Sequence, residues 1–491
     1  MATLVAGIDS STQSCKVVIR DAESGQLVRS GSAKHPDGTE VHPSHWWDAL
    51  LAALEEAGGL SDVAAVAVGG QQHGLVALDA DGEVIRDALL WNDTRSADAA
   101  VDLIIEHSSE PEKDPSSTGL ASGNSAWVSM SGTVPVASLT VTKLRWLADA
   151  EPENARRLTA VALPHDWLTW KLSGAKNLSD LVTDRSDASG TGYFDPSSNQ
   201  YRYDLLAQAL RISEDEAKRI VLPRVAEPGE QVGTGEKSRG WGHVVLSPGA
   251  GDNAAAALGL GMSTGDVALS IGTSGVVSAV SPHAIQDPTG MVTGFADATG
   301  QFLPLAVTLN GSRVLDSTAT MLGVNHTGLA ELAMAAAPGA QGLTLIPYLE
   351  GERTPNFPRA TGSFIGMTLA SMNPRDVARA SVEGLLCGLA DGLEAMTSHG
   401  VPVESVSLIG GAAQSPAVQQ IAPAVLGREV QVPDTGEYVA DGAARQAAWV
   451  LSGTGEPPLW TTSTVQTFTA DPTPEVHRDY AARRDLFAER P

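Results

Sequence analysis

Cysteine is almost missing from this chain of 491 residues, occurring only as Cys15 and Cys387. Two thiols cannot build a disulfide framework or a cysteine-ligated metal site, and such usage points to the reducing cytoplasm. Positive charge is scarce as well. Lys and Arg number 32 against 58 Asp and Glu, a formal net charge of −26. Nucleic acid and anionic membranes both need a basic footprint, so neither is an expected partner. The last lysine is Lys237, which leaves the second half without one. That half can supply neither a Schiff-base lysine nor a P-loop lysine. The nearest approach to a P-loop, Gly233-Thr-Gly-Glu-Lys-Ser238, has a Glu between Gly235 and Lys237 and fails the pattern. Long apolar runs are missing too. The stretches 63–68 and 254–262 fall well short of the roughly 18 apolar residues of a membrane span. The N-terminus has no basic stretch and meets Asp9 too soon for a signal peptide.

What is present is globular in character, with 42% hydrophobic and 18% charged residues. The length suggests roughly two to four domains. Residues 4–8 form a short apolar run closed by Asp9 and a polar turn, Ser10–Ser14. A second run at 16–19, a turn at 21–25 and a third run at 26–28 complete a meander. Apolar residues at helical spacing over 46–54 follow Ser44, the expected N-cap. A buried strand is expected over 63–68, ending in Gly69-Gly-Gln-Gln-His-Gly74. Strands alternating with helices indicate an α/β architecture.

The same turn chemistry returns half a chain later. A strand at 267–271, the turn Gly272-Thr-Ser-Gly275 and a strand at 276–280 repeat the first hairpin, with Thr12-Gln13-Ser14 aligned on Thr273-Ser274-Gly275. The repeat implies a duplicated domain with two similar hairpins facing one cleft. The division expected is 1–246 and 247–491, with the Pro/Gly-rich stretch 223–251 as linker. Residues 106–138, rich in Ser, Gly and Pro, read as loops, with Trp127 as a packing residue.

Both hairpins have the composition of an anion nest, in which turn amides and Ser/Thr hydroxyls converge on a phosphate. The first offers Ser11, Thr12 and Gln13 with Lys16 just beyond; the second offers Gly272, Thr273 and Ser274. Each is also compatible with an ordinary β-turn. Asp9 ends a buried strand beside the first nest, where a carboxylate could serve Mg²⁺ or bond its own turn. Asp252, in Pro248-Gly-Ala-Gly-Asp-Asn253, precedes a run of high helix propensity. It reads either as an N-cap or as a base that takes a proton from an attacking hydroxyl. Gln72 and His73 sit at a strand end where α/β sheets bind ligands, and could bond sugar hydroxyls. Gly410 and Gly411, with Gln414 after them, follow another strand and would admit a flat base or make a plain turn.

The order of these elements resembles the FGGY carbohydrate kinase family, and within it the xylulokinases, from about residue 4 to about residue 453. The resemblance rests on Gly7-Ile-Asp9 with Ser11-Thr12-Gln13, Gln71-Gln-His-Gly74, Trp91-Asn-Asp93 and Thr140 to Leu147. It continues through Ser186-Asp-Ala-Ser-Gly-Thr191, Gly251-Asp-Asn253, Gly272-Thr-Ser-Gly275, Gly351-Glu-Arg-Thr-Pro355 and Gly410-Gly411. It implies an actin-like (ribonuclease H-like) duplicated α/β fold of two domains around a central cleft. It implies transfer of the ATP γ-phosphoryl group to D-xylulose with Mg²⁺. Asp252 would be the general base, Gln72, His73 and Asn253 would bind sugar, and Asp9 would serve the metal. Ser11, Thr12, Gln13, Lys16, Gly272, Thr273, Ser274, Gly410, Gly411 and Gln414 would line the nucleotide side. A homodimer is the assembly carried as an expectation. Three departures stand out: the first loop lacks the usual glycines, Gln72 replaces a frequent Met, and Gly-Gly-Ala-Ala lacks a third glycine. A kinase for ribulose, glycerol or gluconate, and a non-catalytic sensor, are the alternatives.

Overall fold

Strand alternation sets the architecture of the first half. In β1 (Leu4–Ser10), Leu4, Ala6 and Ile8 face one apolar core, and Val5 faces another. Gly7 and Asp9 share the Val5 face by the period of two. The computed structural model describes residues 2–109, 117–357, 359–460, 464–484 and 486. β2 (Ser14–Asp21) and β3 (Leu27–Lys34) pair antiparallel in sequence order, and β4 (Val63–Gly70) pairs parallel to β1. β5 (Gly233–Thr234) and β6 (Val245–Leu246) extend the sheet, giving the order β5-β6-β4-β1-β2-β3, and β7 (Ala250–Gly251) pairs with the end of β4.

The second half repeats this plan. Its strands are β8 (Asp266–Ile271), β9 (Gly275–Ala279), β10 (Thr293–Ala296), β11 (Phe302–Thr308), β12 (Ser405–Ile409), β13 (Val430–Pro433) and β14 (Val465–Phe468). Their order is β10-β11-β9-β8-β12-β13-β14. Reading β3-β2-β1-β4-β6-β5 beside β11-β9-β8-β12-β13-β14, each sheet runs antiparallel, antiparallel, parallel, parallel, antiparallel. The duplication and the two-domain α/β architecture expected from the sequence are present.

Helix α1 (Ser44–Glu56) packs on β2 and β3. α2 (Pro164–Ser173) contacts β4, and α3 (Arg185–Ser189) contacts both β7 and β10. α4 (Asp252–Leu260) follows β7 directly. α5 (Arg313–Leu322) and the long α6 (Pro374–Ser398) belong to the second half. α7 (Tyr438–Ser452), although late in the chain, lies on the first sheet. Its Ala440, Ala443, Ala444, Ala447 and Ala448 pack on Val5, Val18, Ala65 and Ala67.

α4 and α7 cross at backbone contact. A Cβ on Gly442 would stand 1.8 Å from the Ala255 carbonyl oxygen, and one on Gly259 would stand 2.1 Å from that of Tyr438. Gly7 meets α7 in the same way, 1.9 Å from the Ala440 carbonyl oxygen.

Four local expectations need correction. Stretch 223–251 is not a linker: it supplies β5, β6 and β7, and Arg224–Val225 pairs with Val182–Thr183. Two-residue strands between glycines leave no alternation to detect. Within 106–138, Ser117–Ser131 is a helix, while 110–116 lie outside the described residues. Trp127 is buried there, its indole N–H donating to the Leu103 carbonyl at 2.9 Å, as a packing residue should. Ser44 is not an N-cap: Pro43 holds that position and the Ser44 hydroxyl lies 2.8 Å from His42 Nδ1. Asp252 is likewise the first helical residue, after Gly251 as N-cap.

Overpacking a site that meets backbone cannot be relieved by rotamer change. Gly442→Val should lower Tm by roughly 5 °C or more, measured by calorimetry. An unchanged Tm would mean that α4 and α7 are free to separate.

Candidate active site

Three parallel strand ends meet at one place. Asp9 pairs with Gly69, Ser10 with Gly70, and Gly251 with Gly70 from the other side. Asp9, the Gln71–His73 loop and Asp252 are therefore brought to a common rim, where open α/β sheets carry their ligands. Glycine is needed for this approach: a Cβ on Gly251 would lie 2.6 Å from Gln72 Nε2.

Asp9 is buried and accepts a hydrogen bond from the Ser11 hydroxyl. Lys16 is its cross-strand partner. Burial pushes the Asp9 carboxyl up to about 6, while the Ser11 bond and the Lys16 charge pull against that rise. Asp252 opens α4, and one of its oxygens accepts from the Asn253 backbone N–H at 2.8 Å and side-chain amide at 2.9 Å. Burial, then the neighbouring Asp9 charge, raises Asp252 to about 7.

The Gln-Gln-His loop is tied to both halves of this rim. Gln72 donates to the Ser186 carbonyl at 3.2 Å and accepts from Asn253 at 3.4 Å. Gln71 accepts from the Thr12 hydroxyl at 3.4 Å, and its buried Nε2 has no partner. His73 adopts φ +72° with Nδ1 2.7 Å from the Gly190 carbonyl oxygen, and its ring lies 5.6 Å from that of Phe295. Burial, then the Lys143 charge, pushes the imidazole down to about 3. A carbonyl only accepts, so Nδ1 carries the proton of this neutral ring and Nε2 is an acceptor.

A cavity of about 430 Å³ is lined by Asp9, Lys16, Asp252, Asn253, Gly410, Gly411 and Gln414. Gly411 and Gln414 also line a more apolar cavity of about 750 Å³, together with Gly272 and Thr273. The two adjoin along these shared residues. Gly410 has φ +89° and no room for a side chain, since a Cβ would meet the Ile271 carbonyl oxygen at 2.7 Å. The β8–β9 turn is gripped from behind. Gly311 and Ser312 donate their N–H groups to the Thr273 and Gly272 carbonyls at 3.1 and 2.7 Å. Ser274 accepts from the Gly272 N–H at 3.0 Å.

Other expected residues stand apart from the cavities. Ser11 is bound to Asp9, and Thr12 accepts from the Trp91 indole N–H at 2.8 Å. Gln13 is exposed, and its carbonyl accepts from the His35 N–H at 2.9 Å. Gln13 and His73 lie outside both cavities. The sequence reading missed Glu437 and Tyr438, which line the first cavity from the other half of the chain. Glu437 pairs with Lys16 at 2.5 Å, and Asp441 accepts from Arg20 Nε and Nη2 at 2.8 and 2.6 Å. No local pattern announces partners so distant in sequence.

A carboxyl poised near 7 beside a second raised one is a group able to take up a proton. Lys16 and the amide-rich turns can hold anions. The Asp9 carboxylate is a hard oxygen donor of the kind Mg²⁺ takes alongside phosphates, so the residues fit that ion. Among the described residues, no helix is long and apolar enough to cross a membrane.

Comparison with known proteins agrees over nearly the whole length. The N-terminal domain of the FGGY family of carbohydrate kinases matches residues 4–259, and its C-terminal domain matches residues 267–451. The xylulose kinase of Streptomyces coelicolor is 44% identical over 459 residues, covering 92% of this chain and 88% of that protein. The Escherichia coli xylulose kinase is 34% identical, covering 90% and 89%. The crystal structure of xylulose kinase from Bifidobacterium adolescentis superposes with a TM-score of 0.93 at 51% identity, over 98% of this chain and 99% of that one.

The raised carboxyl at Asp252 has a consequence for stability. Its folded pKa of about 7 exceeds the usual 3.8, so the folded state holds the proton more tightly. The resulting penalty is absent below the usual pKa and fully present above the folded one. Asp252→Asn should therefore raise Tm above wild type at pH 8, with the gain gone by about pH 4. A gain independent of pH would refute the burial of a charge as its cause.

Proposed function

The chain belongs to the FGGY family of carbohydrate kinases and has that family's actin-like two-domain fold, and from this premise we propose how its site phosphorylates D-xylulose. The reaction passes the ATP γ-phosphoryl group to the terminal hydroxyl, O5, giving D-xylulose 5-phosphate and ADP. The substrate follows from xylulose kinases aligned along nearly the full chain. The observation that carries the mechanism is Asp252, raised to about 7 in a cavity shared with Asp9 and Lys16.

Asp252 accepts the O5 proton as that oxygen attacks in line. A base whose pKa lies near the working pH balances availability against proton affinity. Gln72, Asn253 and the free Nε2 of His73 hold sugar hydroxyls. The β8–β9 turn, with Gly272, Thr273 and Ser274, and the Gly410, Gly411 and Gln414 segment take the nucleotide. Lys16 serves the phosphates from the opposite hairpin, and Ser11 holds the Asp9 carboxylate beside it. Asp9 would hold Mg²⁺, which would neutralise phosphate charge. Phosphoryl transfer needs chiefly such positioning and charge stabilisation. The division stays at 246/247, with most of the sugar side on the first domain and most of the nucleotide side on the second, while β7 just beyond it pairs into the first sheet and Asp252 and Asn253 face both. A cytoplasmic location and a homodimer complete the proposal. The exposed Met367, Leu369 and Met372 offer a dimer an apolar patch, and light scattering reads the assembly.

ADP release with ATP, Mg²⁺ and a panel of ketoses and polyols tests the reading. D-xylulose should give the highest kcat/KM, and a clear preference for glycerol or ribulose would overturn the substrate. Asp252→Ala should lower kcat by about a thousandfold while the Kd for ATP stays within about twofold. Retained turnover would reject Asp252 as base. Because the base acts ionised, kcat/KM should rise with pH through about 7.

A further inference from the structure

A second charged cluster lies behind the Asp252 loop. His165, on α2, is fully buried, with Nδ1 2.5 Å from Asp187 Oδ2 and Nε2 3.2 Å from the Pro248 carbonyl oxygen. Asp166 is also near, with Oδ1 3.4 Å from Nδ1. Asp184 caps α3 through the Ser186 and Asp187 N–H groups at 2.9 and 3.0 Å. Both ring nitrogens thus face acceptors. A neutral imidazole has one N–H and cannot serve both, so the geometry calls for imidazolium. The surrounding carboxylates favour that form, and His165 is raised to about 10 despite its burial.

The ring is wedged between the end of β4 and the segment carrying Asp252. A Cβ on Gly249 would lie 2.5 Å from His165 Cδ2, and one on Gly70 would lie 2.8 Å from His165 Cβ. The segment is fixed at neighbouring points too. Gly251 N–H donates to the Ser186 hydroxyl at 3.0 Å, and Gly249 exchanges two bonds of 2.9 Å with Gln446. Ser186 and Asp187 are adjacent on α3, so α3 grips the segment both directly and through His165.

We infer that His165, doubly protonated and clamped by Asp187, is a positioning residue that sets Asp252 at its working place by holding the Pro248 carbonyl. This rests on the reading of Asp252 as the base. The imidazolium touches neither cavity and acts only through the Pro248–Gly251 turn. Small displacements of a reacting group cost rate more than binding. ATP, held on the other face of the cleft, should not sense the change.

The test compares His165→Gln with His165→Lys. Glutamine cannot donate at both ends without turning its carbonyl toward an acceptor, whereas an ammonium can serve both. His165→Gln should lower kcat for D-xylulose by about tenfold or more with KM for ATP within about twofold of wild type. His165→Lys should recover most of that loss. Wild-type kcat in His165→Gln overturns the inference, as does an equal loss in both variants with a matching rise in KM for ATP. Should His165→Gln not fold, Asp187→Asn reads the clamp from its other end. A kcat loss at unchanged KM for ATP supports the inference, and an unchanged kcat overturns it. Turnover retained in Asp252→Ala would instead remove the base reading itself.

Discussion

Backbone-to-backbone contact between α4 and α7 is the constraint on which the rest of the site depends. The two helices stand far apart in the chain, at 252–260 and 438–452, yet they approach until Gly259 and Gly442 each meet a carbonyl of the other. Any side chain at the crossing would push them apart. Because α7 also lies on Gly7 of β1, the same contact fixes the distance from the first strand to the second half. Asp9 is two residues beyond Gly7 on the same face. Asp252 is the first residue of α4, and Glu437 immediately precedes α7. Three carboxylates from three distant stretches are thus delivered to one cavity by packing among small residues.

That delivery poses an electrostatic difficulty which the fold meets locally. A chain of charge −26 must receive a polyphosphate. Asp9 and Asp252 are raised to about 6 and 7, so near neutrality Asp9 is mostly ionised while Asp252 carries its charge only part of the time. Burial, the larger cause for each, is what lowers the repulsion an arriving anion would meet. The amides of the β8–β9 turn carry no net charge and need no lysine, which agrees with the absence of that residue after Lys237. The histidine behind the loop follows the same logic in reverse. Asp166, Asp184 and Asp187 crowd a buried pocket, and among the described residues His165 supplies the one cation within their hydrogen-bonding cluster.

The long strands of both sheets were legible because short apolar runs bounded by turn residues are a clear signal of buried strands, as in β1, β2 and β4. The two hairpins gave away the duplication through their turn residues. β5, β6 and β7 were hidden, since two residues define no period and their Gly/Pro neighbours imitate a linker. Ser117–Ser131 was hidden by its Ser and Gly, whose weak propensity yields to tertiary packing around Trp127. The candidate residues Asp9, Asp252, Gln72 and Gly410 were visible as residues beside strand ends and glycines. Glu437, Asp441 and His165 were not, because their meaning lies in partners supplied by other elements. Sequence spacing carries no trace of Arg20 meeting Asp441 across 421 positions.

The two ion pairs between the halves differ in how readily they can exchange. Lys16 and Glu437 keep 37% and 48% of their side-chain surface exposed, so water already solvates both and their mutual attraction is weak. Arg20 and Asp441 keep only 11% and 13%, and the guanidinium makes two bonds to one carboxylate oxygen. Breaking that pair would strand charge in a nearly dry site, which is costly. An anion entering the cavity therefore competes with Glu437 for Lys16 at little expense, while Arg20 stays on Asp441. The lysine nearest the cavity is held in place by a partner it can leave. The arginine, four residues further along β2, keeps the two halves joined when it does.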